Sequence, residues 1–138
     1  GTIFDNIKMG REKATFDNIK WAIKNIGLED HIKRLPKGYD TLIDSRGQKF
    51  SKGIIDKILL ARAIADKPRL LLIKDAFGAI SPDERNRILK FLTHKDRCWT
   101  LLLASSNEAL CQKLDKIIVL KEGRIEKIGS YNTVKDYL

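Results

Sequence analysis

Cysteine is scarce in this 138-residue chain: Cys98 and Cys111 are the only two, they form no CxxC pair, and no paired histidines stand near them. A zinc site or a disulfide framework is therefore not expected to organise the fold, and two reduced, partly buried thiols are expected instead, as in a reducing compartment. Long apolar runs are missing too. The longest, residues 70–73 and 101–104, fall far short of the roughly 20 residues a membrane-spanning helix needs. The chain opens Gly1-Thr2-Ile3-Phe4-Asp5, without the basic segment and apolar stretch of a secretory leader, and reads like the interior of something longer. No internal repeat or low-complexity linker is visible.

What is present describes one globular core. Hydrophobic residues make up 43% and charged residues 33%, a composition that folds, and the length suits one compact domain better than two. Lys and Arg number 27 against 18 acids, for a net charge of +9. Such a balance attracts nucleic acid, anionic lipid or nucleotide phosphates without choosing among them. The basic residues are scattered through the predicted helices and turns, which describes a solvated basic surface as well as a polyanion-binding face.

Local patterns give the elements. Phe16, Ile19, Ile23 and Ile26 recur at helical spacing, with Thr15 as N-cap and Gly27 as C-cap. A shorter helical turn over residues 29–35 stops at Pro36, so the first 45 residues read as small and helical. Residues 51–67 predict a long helix closed by Pro68, and residues 70–73 a strand buried on both faces of a parallel sheet. Ser81-Pro82-Asp83-Glu84 predicts a helix start with serine as cap, proline at the first turn and acids after it. A strand over 100–104, a helix near 107–113, and strands over 116–120 and 124–128 joined by Glu122-Gly123 follow, with a last helix from about Tyr131. The alternation is that of a parallel α/β sheet with an antiparallel hairpin at its edge.

Several segments, in order, resemble the nucleotide-binding domains of ABC transporters, particularly the exporter type. Gly1-Thr2-Ile3 with Asp5-Asn6-Ile7 is similar to the family's GTI-x-ENI stretch, which directly follows its glutamine loop. Leu35-Pro36-Lys37-Gly38-Tyr39-Asp40-Thr41 looks like LPxGYDT, and Ser45-Arg46-Gly47 like the ERG before the signature. Phe50-Ser51-Lys52-Gly53-Ile54 falls at the LSGGQ signature, and Leu60-Ala61-Arg62-Ala63 at the LARA of the next helix. Residues 70–81 lie over the Walker B strand and D-loop, residues 101–106 over the switch strand, and residues 116–129 over the closing hairpin. The register covers nearly the whole chain without gaps.

That resemblance implies an α/β fold: a partial P-loop NTPase sheet of the ABC type, with a small helical subdomain over residues 1–50 and the signature helix and C-terminal half of the catalytic core over residues 51–138. It implies ATP and Mg2+ as the family's cofactors, a second nucleotide-binding domain and a transmembrane domain as partners, and a place on the cytoplasmic face of a membrane. No nucleic-acid partner is expected. The P-loop, GxxxxGK[ST], whose amides and lysine hold phosphates, does not occur in the sequence. The chain is therefore expected to be a fragment that binds neither cofactor tightly alone.

Inside the covered region the pattern also departs from the family. Lys74 aligns with the Walker B aspartate, Asp75 with the catalytic glutamate, and Ser105 with the switch histidine. An ammonium has no lone pair for a metal, and a hydroxyl lacks the reach of an imidazole. A one-residue slip would make Asp75 the metal residue and Ala76 the missing base, which equally lacks a metal-plus-base pair. In the signature, Ser51 and Gly53 survive while Lys52 and Ile54 replace a glycine and a glutamine; in the family this loop serves the partner's ATP in trans. Ser81 stands where the D-loop has aspartate. Each position also has a plain reading: Lys74 as an exposed strand end, Ser105 and Ser106 as loop, Ser51 and Ser81 as helix caps. The resulting expectation is a component of a transport ATPase with a degenerate or weakly active site. The alternatives are a non-hydrolysing structural or regulatory module of the same fold, or a basic α/β domain that binds nucleic acid.

Overall fold

The computed structural model describes residues 1–43, 50–74 and 77–138. Their order is α1 (Ile3–Lys8), α2 (Phe16–Ile26), α3 (Glu29–Lys33), a 3-10 turn (Gly38–Asp40), α4 (Lys52–Ile64), β1 (Leu70–Lys74), α5 (Pro82–Leu92), β2 (Thr100–Ala104), α6 (Glu108–Cys111), β3 (Ile117–Lys121), β4 (Arg124–Gly129), α7 (Tyr131–Val134) and a closing 3-10 turn (Lys135–Tyr137). The chain is thus mixed α/β. It divides into two compact units, Gly1–Leu102 and Leu103–Leu138, so residue 50, the expected subdomain boundary, lies inside the first.

The first unit is built on helix contacts that the caps prepare. Thr15 accepts a hydrogen bond from the Asn18 amide, and Gly27 ends α2 in the left-handed region at φ 79°. That places Ile19, Ala22, Ile23 and Ile26 on one buried face, which packs on α4. Helix α1 was not foreseen as an element. Its signal is a capping box, in which Thr2 Oγ1 accepts from the Asp5 amide and Asp5 returns a bond to the Thr2 amide, both at 3.0 Å. Arg62 of α4 donates to the Asn6 carbonyl and side chain, and Arg11 pairs with Asp66 at 3.0 Å, so the C-terminal half of α1 and the turn after it are tied down. Trp21, Phe91 and Trp99 pack together at 5.6–6.4 Å, Trp99 edge to face with each of the other two, and the Trp99 indole N–H is bonded to the Leu92 carbonyl.

The strands correct one expectation. Strand β1 was expected to be buried on both faces; instead it alternates, with Leu71 and Ile73 buried but Leu70 55% and Leu72 63% exposed. One side of β1 is buried, and the other lies open among the described residues. Strand β2 pairs with β1, and Leu102 is likewise exposed. A second correction concerns the sheet: among the described residues there are two separate two-stranded sheets, β1 with β2 and β3 with β4, rather than one continuous one.

The second unit closes on a small core of Cys111, Ile117, Val119 and Val134, with Tyr131 against it. Its antiparallel hairpin pairs Ile118 with Ile128 and Leu120 with Ile125, with a register irregularity after Val119. Glu122 (φ 49°) and Gly123 (φ 75°) make the left-handed turn. Cys111 is buried and free; Cys98 is exposed and free.

Candidate functional site

The start of α4 gathers most of the predicted binding residues. Phe50 lies edge-on to His31 of α3 at 5.9 Å. Ser51 is an extended N-cap whose hydroxyl accepts from the Ile54 amide at 3.4 Å, while Lys52, exposed, occupies the first helical position. The open amides of a helix start favour an anion, and Lys52 adds charge there. Gly53 faces inward: a Cβ at that position would stand 2.5 Å from the Ala79 carbonyl oxygen. The glycine is required here by the backbone of residue 79, a constraint that exists whether or not a phosphate approaches.

The opposite side of that contact carries Ser81. It was expected to cap α5 with its hydroxyl, but no such bond forms. The hydroxyl instead donates to Glu84 Oε2 at 2.9 Å, and the remaining Glu84 oxygen receives the ammonium of Lys57. Lys57 is 5% exposed, the one charged residue buried to this degree among the described residues. Its hydrogen bond, with that from Ser81, holds the Glu84 carboxyl below the usual carboxylate range. Two further groups on this side are perturbed. Burial, with Arg34 and Lys57 nearby, lowers the His31 pKa; burial raises that of Asp56, which Lys52 partly offsets. His31 Nε2 and Asp56 Oδ2 are both buried without a hydrogen-bond partner among the described residues. Glu84 is read from sequence only as an acid in the first turn of α5, and Lys57, His31 and Asp56 carry no sequence reading, although a lysine on the apolar side of a helix is a readable signal that a carboxylate waits opposite.

Of the expected hydrolytic residues two are described, Lys74 in the first unit and Ser105 in the second. Lys74 ends β1 with its side chain exposed. Asp75 lies outside the described residues, as do Ala76 and Ser45-Arg46-Gly47. Ser105, exposed in the second unit, accepts from the Asn107 amide at 3.1 Å and so opens the turn into α6. Among the described residues no group of three His, Cys, Asp or Glu side chains could hold a metal ion, and no helix is long and apolar enough to cross a membrane. The donor set therefore fits a phosphate only in part, through Ser51, Lys52 and the first amides of α4. It does not fit magnesium at Lys74, which has no electron pair to give.

Comparison with known proteins gives this geometry relatives. No family model matches the chain. "ABC transporter B family member 14" of Arabidopsis thaliana is 31% identical over 131 residues, 95% of this chain and 10% of that protein. "ABC transporter ATM1" of Toxoplasma gondii is 34% identical over 130 residues, 94% of this chain and 12% of that protein. "Multidrug resistance-like ATP-binding protein MdlA" of Buchnera aphidicola is 34% identical over 131 residues, 94% of this chain and 22% of that protein. In three dimensions a bacterial Atm1-family ABC exporter, solved with ATP bound, superimposes with a TM-score of 0.89 at 30% identity, covering 99% of this chain and 24% of that one.

Over nearly its whole length the chain is similar to ABC transporters. It spans between 10% and 22% of the length of these three relatives, so its ABC fold is the fold of a stretch rather than of a whole transporter. Within that stretch the residues at the start of α4 and at Ser81 face one another across the Gly53–Ala79 contact, whereas Lys74 and Ser105 fall in different units.

Proposed function

We propose that this chain is the C-terminal part of an ABC-transporter nucleotide-binding domain, beginning just past the glutamine loop, and that its own hydrolytic site is degenerate. Residues 1–50 form the helical subdomain, and residues 51–138 the signature helix and C-terminal half of the core. The domain works on the cytoplasmic face of a membrane, where nucleotide-driven pairing with a second such domain moves a transmembrane partner. What supports the family part is the near-complete overlay on an exporter solved with ATP bound. What supports the degenerate part is Lys74, exposed at the end of β1 where the family pattern has the magnesium-holding aspartate.

On this reading the protein's remaining chemistry is binding. The amides that open α4, the Ser51 hydroxyl and the Lys52 ammonium offer a partner's phosphate hydrogen bonds and positive charge. ATP supplies the energy of pairing when a complete site holds it. Because an ammonium replaces the metal residue, no magnesium-dependent step is assigned to this chain. Lys52 stands where the family keeps a glycine, and its side chain hinders the close approach that glycine allows, so contribution to the partner's site is weakened rather than abolished.

Steady-state hydrolysis by the purified full-length protein tests the reading. The expected result is turnover near background that does not change when the P-loop lysine of the same polypeptide is replaced. Steady turnover that this replacement abolishes overturns it. For residues 1–138 alone, calorimetry should detect no saturable binding of magnesium-ATP.

A further inference from the structure

We infer that Lys57 and Glu84 fasten the start of α4 to the segment ending at Ser81, so that the two rearrange together and not separately. Three observations meet here. Gly53 stands against the Ala79 carbonyl so closely that not even a methyl group fits between them. Lys57, on the same helix and 5% exposed, reaches across to Glu84 in the first turn of α5. Glu84 in turn takes the hydroxyl proton donor of Ser81 on its other oxygen. One carboxylate thus holds a side chain of α4 with one oxygen and the cap position of its own helix with the other.

The physical consequence follows from burial. An ammonium with so little exposure is costly without its counter-charge. Sliding α4 away from residues 77–81 must break the pair before water can replace it, which makes small independent movements unfavourable. A buried pair of this kind favours two arrangements, closed or parted, over those between. Lys57 and Glu84 are positioning residues: Lys57 acts on Ser51 and Lys52 through the backbone of α4, Glu84 acts on Ser81 through its hydroxyl, and none of the observations has either one touching a ligand. That these positions face a nucleotide rests on the function proposed above; the tie itself does not.

Hydrogen exchange of the full-length protein without nucleotide tests it. The reporters are the Ile54 and Ile55 amides, both bonded to the Ser51 carbonyl, and the Ile80 and Arg85 amides, bonded to Phe77 and Ser81. Replacing Lys57→Met, or Glu84→Gln, should speed exchange at all four together, roughly tenfold for opening of one local unit, while amides of Ile19 and Ile23 in α2 keep their wild-type rates. Lys57→Arg, which retains the charge, should restore protection. Faster exchange at only one pair of reporters overturns the inference, as does no change at either. An equal rise in α2 also overturns it, since the pair would then support the unit as a whole. Adding magnesium-ATP separates the tie from the functional reading. If nucleotide alters none of the four reporters in the wild type while the variants behave as expected, the proposed function fails and the tie stands.

Discussion

Helices and strands finish their packing to different degrees in this chain. Ile3, Ile7, Ile19, Ile23, Ile26, Ile64, Ile88, Leu89 and Leu92 are fully or almost fully buried among α1, α2, α4 and α5. Yet Leu70, Leu72 and Leu102 on the strands of the same unit turn more than half their surface outward, and in the second unit Leu120 and Ile125 do so as a cross-strand pair. A helix buries one stripe against its neighbours, and the neighbours are present. A strand has two faces, and each pair of strands here has one face covered. The difference teaches where stability resides: in the helix contacts, with the open sheet faces contributing little until something lies on them.

The largest effect that could break this comparison is expected in α2. Ile23→Ala removes a side chain with no exposure from the face packed on α4, and should lower unfolding free energy by about 3 kcal/mol. Urea unfolding of the purified chain followed by circular dichroism measures it; a loss below about 1 kcal/mol would mean that the helical part is not where the stability lies.

An intermediate effect of opposite sign is expected at Asp56. Its folded pKa is raised above 3.8 by burial, so its contribution to stability is fully present below the unfolded value and is lost as pH rises through the folded one. At neutral pH the charged carboxylate is therefore a cost, and Asp56→Asn should stabilise by about 1 kcal/mol. The gain should vanish below about pH 4, where the wild-type group is protonated in both states. His31 and Glu84 carry the contrary sign: both folded values are lowered, so their contributions stand above their unfolded pKa values and decline as pH falls. Unfolding midpoints measured from pH 3 to 8 on both proteins check the crossing.

The smallest effect sharpens the comparison from the strand side. Leu72→Ser, on the open face of β1, should change the stability of residues 1–138 by no more than about 0.5 kcal/mol. In the full-length protein the same change should cost about 2 kcal/mol if further elements cover that face. Equal small effects in both settings would mean that the face stays open.

Which parts were legible follows from the range of the interactions involved. The caps of α2 at Thr15 and Gly27 are local, and the helix lies between them. The capping box of α1 is equally local, and it shares its residues, Thr2 and Asp5, with the family motif at that position. Strand β1 reads as an unbroken apolar run, which signals burial on both faces only where both are covered; half of that depends on elements outside the pattern. In the candidate site, Ser51 as cap of α4 was readable, whereas the Ser81 hydroxyl turned away from its amides because Glu84, already drawn to Lys57, offers a charged acceptor.

The sequence by itself determined the family resemblance and the order of its motifs, because these are carried by residue identity in register along one chain. It also determined that an ammonium at Lys74 and a hydroxyl at Ser105 differ in chemistry from the carboxylate and imidazole the resemblance implies there, since that follows from the side chains alone. Only the tertiary structure decided why Gly53 must be glycine and what Lys57 is for. Both depend on residues 26 and 27 positions further along, Ala79 and Glu84, brought within contact by the packing of α4 beside the start of α5, and no local pattern records a partner at that separation.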